Sequence, residues 1–203
     1  MSNTTITRGR GRRIKAILAG GVVLGLGAAV TLAAWNDSEF AIGTFGSGDF
    51  NLEGATVADT FTEHDTPETA GVLDFEVSPE NLAPDDVVYA PFAVRLDDTT
   101  TFDANVVVSQ ETTTGVLTGL TYEVLVTDTF GCAEGTTGEA LIPAGTALGT
   151  VPADTDVALT AGADDAAGTP VNLCFVVTAD EALTEGQDGS STWEFAAESI
   201  STQ

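Results

Sequence analysis

The sequence LTYEVLVT, residues 120–127, alternates large apolar side chains with polar or aliphatic ones. Leu120, Tyr122, Val124 and Val126 share one parity. Because successive side chains of a strand point to opposite faces, this period of two predicts a β-strand with one buried face. This is the clearest alternation of apolar and polar residues in the chain, and it leads us to expect β-strands in the neighbouring segments as well.

Similar short apolar runs, separated by Gly, Asp, Thr and Pro, occur on both sides of this strand. The expected strands are 72–77, 87–96, 105–108, 171–178 and 192–198. Pro91 implies that the second of these lies at an edge or contains a bulge. Residues 129–168, rich in Gly, Ala, Thr and Asp, are expected to form a long excursion with minor strands or one short helix. Many short strands with frequent turns indicate an antiparallel β-sandwich or barrel.

Charge divides the chain at Ala34. Five of the six basic residues precede this position and all 31 acidic residues follow it. A chain that starts at Trp35 would keep a single base, Arg95, against 31 acids, which gives a formal charge of −30. A surface this acidic repels nucleic acid. The hydrophobic fraction of 43% is too high for a disordered chain, so one globular domain over residues 35–203 is expected.

The N-terminal 34 residues have the three parts of a secretory signal peptide. Arg12, Arg13 and Lys15 belong to a basic head, an uncharged run of 19 residues covers 16–34, and the run ends in two alanines. We therefore predict a hydrophobic signal helix over residues 1–34, its removal on export, and a secreted or cell-surface protein. Two alternatives stay open: a retained membrane anchor, since 19 residues can just span a bilayer, and a twin-arginine signal.

The segment GLGAAVTLAAWND at residues 25–37, followed by GTFGSGDFNL at 43–52, resembles the TasA/camelysin family. A turn in the family, Asn-Leu-x-Pro-Gly-Asp, is similar to residues 81–86, where Asp85 stands in place of glycine. The resemblance implies cleavage between Ala34 and Trp35 by a SipW-type signal peptidase. It also implies a jelly-roll-like sandwich and, by analogy with family members that build extracellular matrix fibres, a structural role.

Two cysteines remain in the exported part, Cys132 and Cys174. Because an exported chain meets oxidising conditions, we predict a disulfide between them. The alternative is a pair of free buried thiols.

The sequence contains few residues that could form the active site of an enzyme. A zinc peptidase of the H-E-x-x-H type needs two histidines one helical turn apart, and the chain has only His64. No catalytic residues and no cofactor are predicted, although the description of camelysin relatives as zinc peptidases leaves a secreted metallopeptidase as an alternative. Acidic turns, of which Asp97 and Asp98 are the candidates, leave a Ca²⁺-dependent adhesion module as another.

The segment after the expected cut is unusually apolar for a chain terminus. It carries Trp35, Phe40, Ile42 and Phe45. Such a segment either folds back as an edge strand of its own sheet or adds to the sheet of a neighbour. The hypothesis from the sequence is a non-enzymatic structural protein that forms fibres by donating this strand.

Overall fold

The structure is a computed structural model that describes residues 39, 41–44, 47–76 and 78–200. The chain divides into two units, Met1–Phe45 and Gly46–Gln203. All the strands of the described residues lie in the second unit. The predicted signal helix, its basic residues Arg12, Arg13 and Lys15, and the cleavage position at Ala34 and Trp35 lie outside the described residues.

The second unit is built from nine strands within the described part of the chain. In order they are β1 (Leu52–Val57), β2 (Thr60–Thr62), β3 (Val87–Leu96), β4 (Asp103–Gly115), β5 (Leu120–Thr127), β6 (Glu139–Ala147), β7 (Asp156–Leu159), β8 (Val171–Ala179) and β9 (Gly189–Ile200). One turn of 3₁₀ helix, Pro67–Thr69, lies between β2 and β3. The described residues contain no α-helix, so the prediction of an all-β protein is confirmed.

The strands form two antiparallel sheets of unequal size. The larger sheet has the order β2-β1-β3-β8-β5-β6, and the smaller one has the order β7-β4-β9. In the larger sheet β8 lies between β3 and β5, so Leu173 pairs with Phe92 on one side and with Val126 on the other. A sandwich of two antiparallel sheets agrees with the fold class expected from the sequence. The finer jelly-roll assignment stays a prediction.

The core lies between the sheets and follows the alternation of the strands. Along β5, Tyr122 and Val124 are almost completely buried, while Thr121 and Glu123 are partly exposed. Along β8, Leu173 and Phe175 face the same core. Each buried Leu, Val or Phe contributes about 1.5–3 kcal/mol relative to an exposed one. The period of two that is visible in the sequence is therefore the pattern that assembles the core.

Most predicted strands are confirmed, and one is wrong. The strand expected over 87–96 coincides with β3, and Pro91 lies outside the part of β3 that pairs with β1, Ala93–Leu96. The excursion at 129–168 contains β6 and β7 rather than a helix.

The strand expected at 72–77 is not formed by its described residues, 72–76. Leu73 and Phe75 pack against the core, whereas Val72 is 83% exposed. The segment makes one backbone hydrogen bond to the sheet, from Glu76 N to Tyr89 O at 3.3 Å. The alternation of apolar residues in this segment corresponds to side chains, Leu73 and Phe75, that face the core. The described residues of this segment form no strand, because this single bond to β3 at Tyr89 is not continued by further bonds into a ladder.

Candidate functional site

The smaller sheet ends in a long strand with a free edge. Strand β9 pairs with β4 along its whole length, from Gly189 opposite Gly115 to Ile200 opposite Asp103. On its other side no strand of the described residues is paired with it. The other edge strands are shorter: β2 has 3 residues, β7 has 4 and β6 has 9, against 12 in β9. An unpaired row of N–H and C=O groups is a template for another strand.

A groove of about 740 Å³ runs beside this edge. Residues of β9 from Gly189 to Ala197 line one side of it. Its floor is formed by side chains of the larger sheet, among them Leu52, Phe92 and Phe175. At a rise of about 3.3 Å per residue, the eight residues from Ser190 to Ala197 span about 23 Å, so the groove has the length of an ordinary strand.

The opposite side of the groove is the segment between β2 and β3, which we call the strap (residues 63–86). Strap residues that line the groove include Leu73, Phe75 and Leu82, all of which pack on the core while remaining partly exposed. With β9 on one side, apolar side chains below and the strap on the other side, the groove combines a free backbone edge with an apolar floor. This is the arrangement that recognition by β-strand addition requires.

The unequal strand number of the two sheets explains why the groove exists. Three strands cannot cover a sheet of six, so inward-facing residues of β9 stay half-buried. Trp193 and Phe195 lie at the boundary: the Phe195 ring centroid is 5.3 Å from that of Phe92, and the Trp193 centroid is 5.0 Å from that of Phe175. These contacts fix β9 over the larger sheet, and among the strands that the structure describes none covers its far edge.

One polar link crosses the core and holds β9 in place. The indole Nε1–H of Trp193 donates to the Tyr122 hydroxyl at 3.1 Å, and that hydroxyl donates to the Thr150 carbonyl at 2.7 Å. Burial raises the pKa of Tyr122 above its ordinary value, and the bond from Trp193 lowers it by a smaller amount. A neutral phenol that both accepts and donates is therefore the form that suits the folded state.

His64 anchors the strap. Its Nδ1 lies 2.8 Å from the carbonyl oxygen of Thr69, to which it donates, and its Nε2 lies 3.3 Å from the hydroxyl oxygen of Thr62. The ring also lies close to Gly54 and Gly71: a Cβ added at either would come within 3.2 Å of it. His64 is thus a half-buried residue in the wall of the groove, whereas the sequence had suggested only a loop histidine.

The acidic residues predicted to bind Ca²⁺, Asp97 and Asp98, lie in the turn between β3 and β4. Within residues 39–200, apart from the undescribed positions, no group of three His, Cys, Asp or Glu side chains is arranged to hold a metal ion. Asp97 is buried, and both its carboxylate oxygens accept hydrogen bonds from protein groups, while Asp98 is exposed. The structure therefore gives Asp97 a role in its own turn, and Ca²⁺ binding at this turn stays a prediction.

The predicted disulfide is confirmed. Cys132 and Cys174 are bonded, with their Cα atoms 5.0 Å apart and a separation of 42 positions in the sequence. Closing a loop of this length stabilises a fold by about 4 kcal/mol in the chain-entropy model. The bond joins the β5–β6 loop to the middle of β8, and it lies on the side of the larger sheet that faces away from the groove.

Of the candidate donor strand, only part can be placed. Ile42 lies in a stretch without regular secondary structure and is exposed. Trp35, Phe40 and Phe45 lie outside the described residues. In the part of the chain that the structure describes, no helix has the length and hydrophobicity needed to cross a membrane.

Sequence reasoning predicted the final strand and not its role. The alternation of Trp193, Phe195 and Ala197 was sufficient to predict a strand over 192–198. Nothing in it indicates that one edge stays unpaired, because strand order is a property of the whole fold. In the strap, the alternating apolar residues Leu73 and Phe75 predict a strand, but they pack on the core without forming one.

Comparison with protein-family models finds no match for this chain. Comparison with curated proteins finds none either. The resemblance to the TasA/camelysin family stays a prediction from the residues quoted above.

Proposed function

We propose that this chain is an exported, non-enzymatic structural protein of the cell surface or extracellular matrix, whose copies join by strand donation. In this proposal a SipW-type signal peptidase removes residues 1–34. The freed segment Trp35–Phe45 of one copy then adds to the free edge of β9 in another. The observation that carries the proposal is the 12-residue strand β9, one edge of which pairs with no strand of the described residues, with an apolar groove beside it.

The length and composition of the segment suit the groove. Eleven extended residues reach about 36 Å, more than the roughly 23 Å between Ser190 and Ala197. Phe40 and Ile42 share parity, so in an extended strand both would face the apolar floor. Backbone hydrogen bonds to β9 would supply affinity, and these two side chains would supply register.

The geometry of donation favours chains of copies over closed dimers. The donating segment and the accepting groove are different surfaces, so each contact is head-to-tail. Head-to-tail contacts build rings when the rotation closes and open filaments when it does not. A fourth strand beside β9 would also complete the smaller sheet, in keeping with the jelly-roll-like sandwich implied by the family resemblance. The disulfide is compatible with an extracellular location.

A binding experiment with the isolated donor tests the proposal directly. Protein that starts at Gly46 keeps every described strand and is titrated with a synthetic peptide of residues 35–45. We expect saturable binding, followed by calorimetry, and a rise in Tm that grows with peptide concentration. The matched controls are a scrambled peptide of the same composition and a peptide that carries Ile42→Asp, both of which should bind much more weakly.

Assembly is tested by measuring, with light scattering, the size of protein with the donor segment and of protein without it. Protein that starts at Trp35 should grow in size with concentration, whereas protein that starts at Gly46 should stay monomeric. If the peptide neither binds nor raises Tm, strand donation is wrong. If the peptide binds but the longer protein is monomeric at every concentration and salt level, the segment occupies the groove of its own chain and the fibre role is wrong. Independently, N-terminal sequencing of secreted material should begin at Trp35.

A further inference from the structure

The larger sheet has a second apolar cluster on its outer face, separate from the core between the sheets. Leu125, Cys132, Cys174 and Val176 are buried there, and Val87 and Tyr89 pack against them. Three neighbouring strands contribute, because Cys174 in β8 pairs with Pro91 in β3 and with Leu125 in β5. Since Leu173 and Phe175 face the main core, the intervening Cys174 points to the opposite, outer side.

The cover of this patch is the loop between β5 and β6, residues 128–138. Cys132, in this loop, is 7% exposed and Cys174 is 0% exposed. Two hydrogen bonds of the loop are internal, Thr136 N to Ala133 O and Ala133 N to the Thr136 hydroxyl, both at 3.0 Å. A third joins the loop to the end of β5, from the Thr127 hydroxyl to Thr129 O at 2.9 Å. A polar cavity of about 350 Å³, lined by Thr127, Gly131 and Gly135 among others, adjoins the loop. Between its two ends, which adjoin Thr127 and Val126 of β5, the loop is joined to the sheet by the disulfide.

We propose that the Cys132–Cys174 bond is a redox-sensitive clip: when it is reduced, the loop lifts and exposes the outer apolar patch while the sandwich stays folded. The two clusters share strands but are packed separately, so loss of the outer cover does not remove the contacts between the sheets. The β5–β6 loop can move as a unit because its own hydrogen bonds travel with it.

Closing the clip is an oxidation with a defined balance. Two cysteine thiols lose two protons and two electrons, and one S–S bond forms. A disulfide-containing oxidant, such as a thiol–disulfide exchange protein or oxidised glutathione, accepts both electrons and both protons and becomes a dithiol or two thiols. The proposed export would fix when this happens, because the reducing cytosol leaves the clip open and the exterior closes it. The clip itself does not depend on export or on strand donation.

The test measures access to one thiol in the purified protein. Cys132→Ala leaves Cys174 as the only cysteine, buried at the middle of β8. A maleimide reagent can reach it only when the loop opens or the whole domain unfolds. We expect labelling without denaturant to be about tenfold or more faster than global unfolding permits, and to respond weakly to low urea, as local openings do. Near-ultraviolet circular dichroism and Trp fluorescence should stay native.

Two further measurements complete the test. Cys174→Ala, the matched control, leaves Cys132 on the released loop, where it should label still faster. Natural protein treated with a phosphine reductant should bind an apolar dye, and should lose this property on reoxidation. If Cys174 labels only in step with global unfolding, the loop stays in place and the clip is wrong. If both variants and the reduced protein unfold, the disulfide holds the whole sandwich together and the clip is again wrong. Neither outcome affects peptide binding to oxidised protein, which tests the proposed function separately.

Discussion

The turn between β3 and β4 depends on one carboxylate. Asp97 Oδ1 accepts hydrogen bonds from the Thr99 and Thr100 amides at 3.1 and 2.8 Å and from the Thr100 hydroxyl at 2.7 Å. Its Oδ2 accepts from the Thr99 hydroxyl at 2.8 Å and from the Asn51 side-chain amide at 3.4 Å. Asn51 is directly before β1, so the same carboxylate links the β3–β4 turn to the start of β1. We predict that Asp97→Ala destabilises this turn and the domain.

The magnitude follows from the groups that would lose their partner. The Thr100 hydroxyl has an alternative acceptor, the Asn51 carbonyl at 3.1 Å, so its bond can be replaced. The buried Thr100 N–H has no such substitute, and an unsatisfied buried donor costs about 1–3 kcal/mol. With the charge-assisted bond from the Thr99 hydroxyl, the expected loss is about 3 kcal/mol. For a domain of this size, that lowers Tm by about 6–12 °C.

The assay is thermal and urea unfolding at neutral pH, with Asp98→Ala as the matched control. Asp98 is adjacent and exposed, so its removal should change Tm by no more than about 1–2 °C. Equal losses in the two variants would refute the assignment of Asp97 to the turn. A rise in Tm of natural protein with Ca²⁺, at matched ionic strength, that both substitutions abolish would instead favour the predicted calcium site.

The dependence on pH supplies a second, independent check. Burial raises the pKa of Asp97, but the bonds from Thr100, Thr99 and Asn51 together outweigh it, and the net pKa lies below the ordinary value of 3.8. A carboxyl group with a lowered pKa in the folded state stabilises the fold above its unfolded pKa. This contribution is lost as the pH falls through the folded pKa. The difference in stability between natural protein and Asp97→Asn should therefore be constant near neutrality and should shrink below about pH 4.

Three further predictions concern other parts of the second unit. At Asp85, where φ is +74°, Asp85→Gly should be at least as stable as the natural protein and Asp85→Ala about 1 kcal/mol less stable in urea unfolding. Tyr122→Phe should cost about 1–3 kcal/mol, because the Trp193 indole N–H and a backbone carbonyl lose their partner. Since the pKa of Tyr122 is raised, natural protein should also lose stability as the pH rises above about 10, and this part of the loss should be absent in Tyr122→Phe. Finally, raising NaCl from 0.01 to 1 M shortens the Debye length from about 30 to about 3 Å and should raise Tm, because the acidic residues repel one another.

Asp85 also shows what a departure from a family pattern means physically. The turn of the TasA/camelysin family that residues 81–86 resemble has glycine where this chain has Asp85. The Asp85 backbone is in the left-handed region, where only glycine avoids the steric cost of a Cβ atom, and this explains why a glycine suits the position. Asp and Asn tolerate this conformation better than other residues do. The substitution, which weakened the sequence resemblance, is therefore consistent with the same turn geometry.

Strand positions were predictable here because burial imposes a period of two that can be read locally. β5 and β8 have a paired strand on both sides for most of their length, and β3 pairs with β8 from Val87 to Val94, so the apolar residues of these strands are buried in a regular pattern. β6 was harder to predict because it is an edge strand in which mainly Ile142 is buried. The strap was misread because packing on a core produces the same alternation as a strand. Only the hydrogen-bond partners, which lie far away in sequence, distinguish the two.

The candidate site depends on strand order, which no local pattern contains, but the sequence does hold information on what the free edge of β9 would accept. Glu194 and Glu198 are exposed along this strand. Pairing the β9 edges of two copies would bring these carboxylates together, and like charges on neighbouring strands are destabilising. Residues 40–45 of the predicted donor carry no charge, whereas Asp37 and Glu39 come just before them. Charge thus disfavours symmetric pairing of β9 with itself and favours a donor register in which the uncharged part, from Phe40 onward, lies beside Glu194 and Glu198.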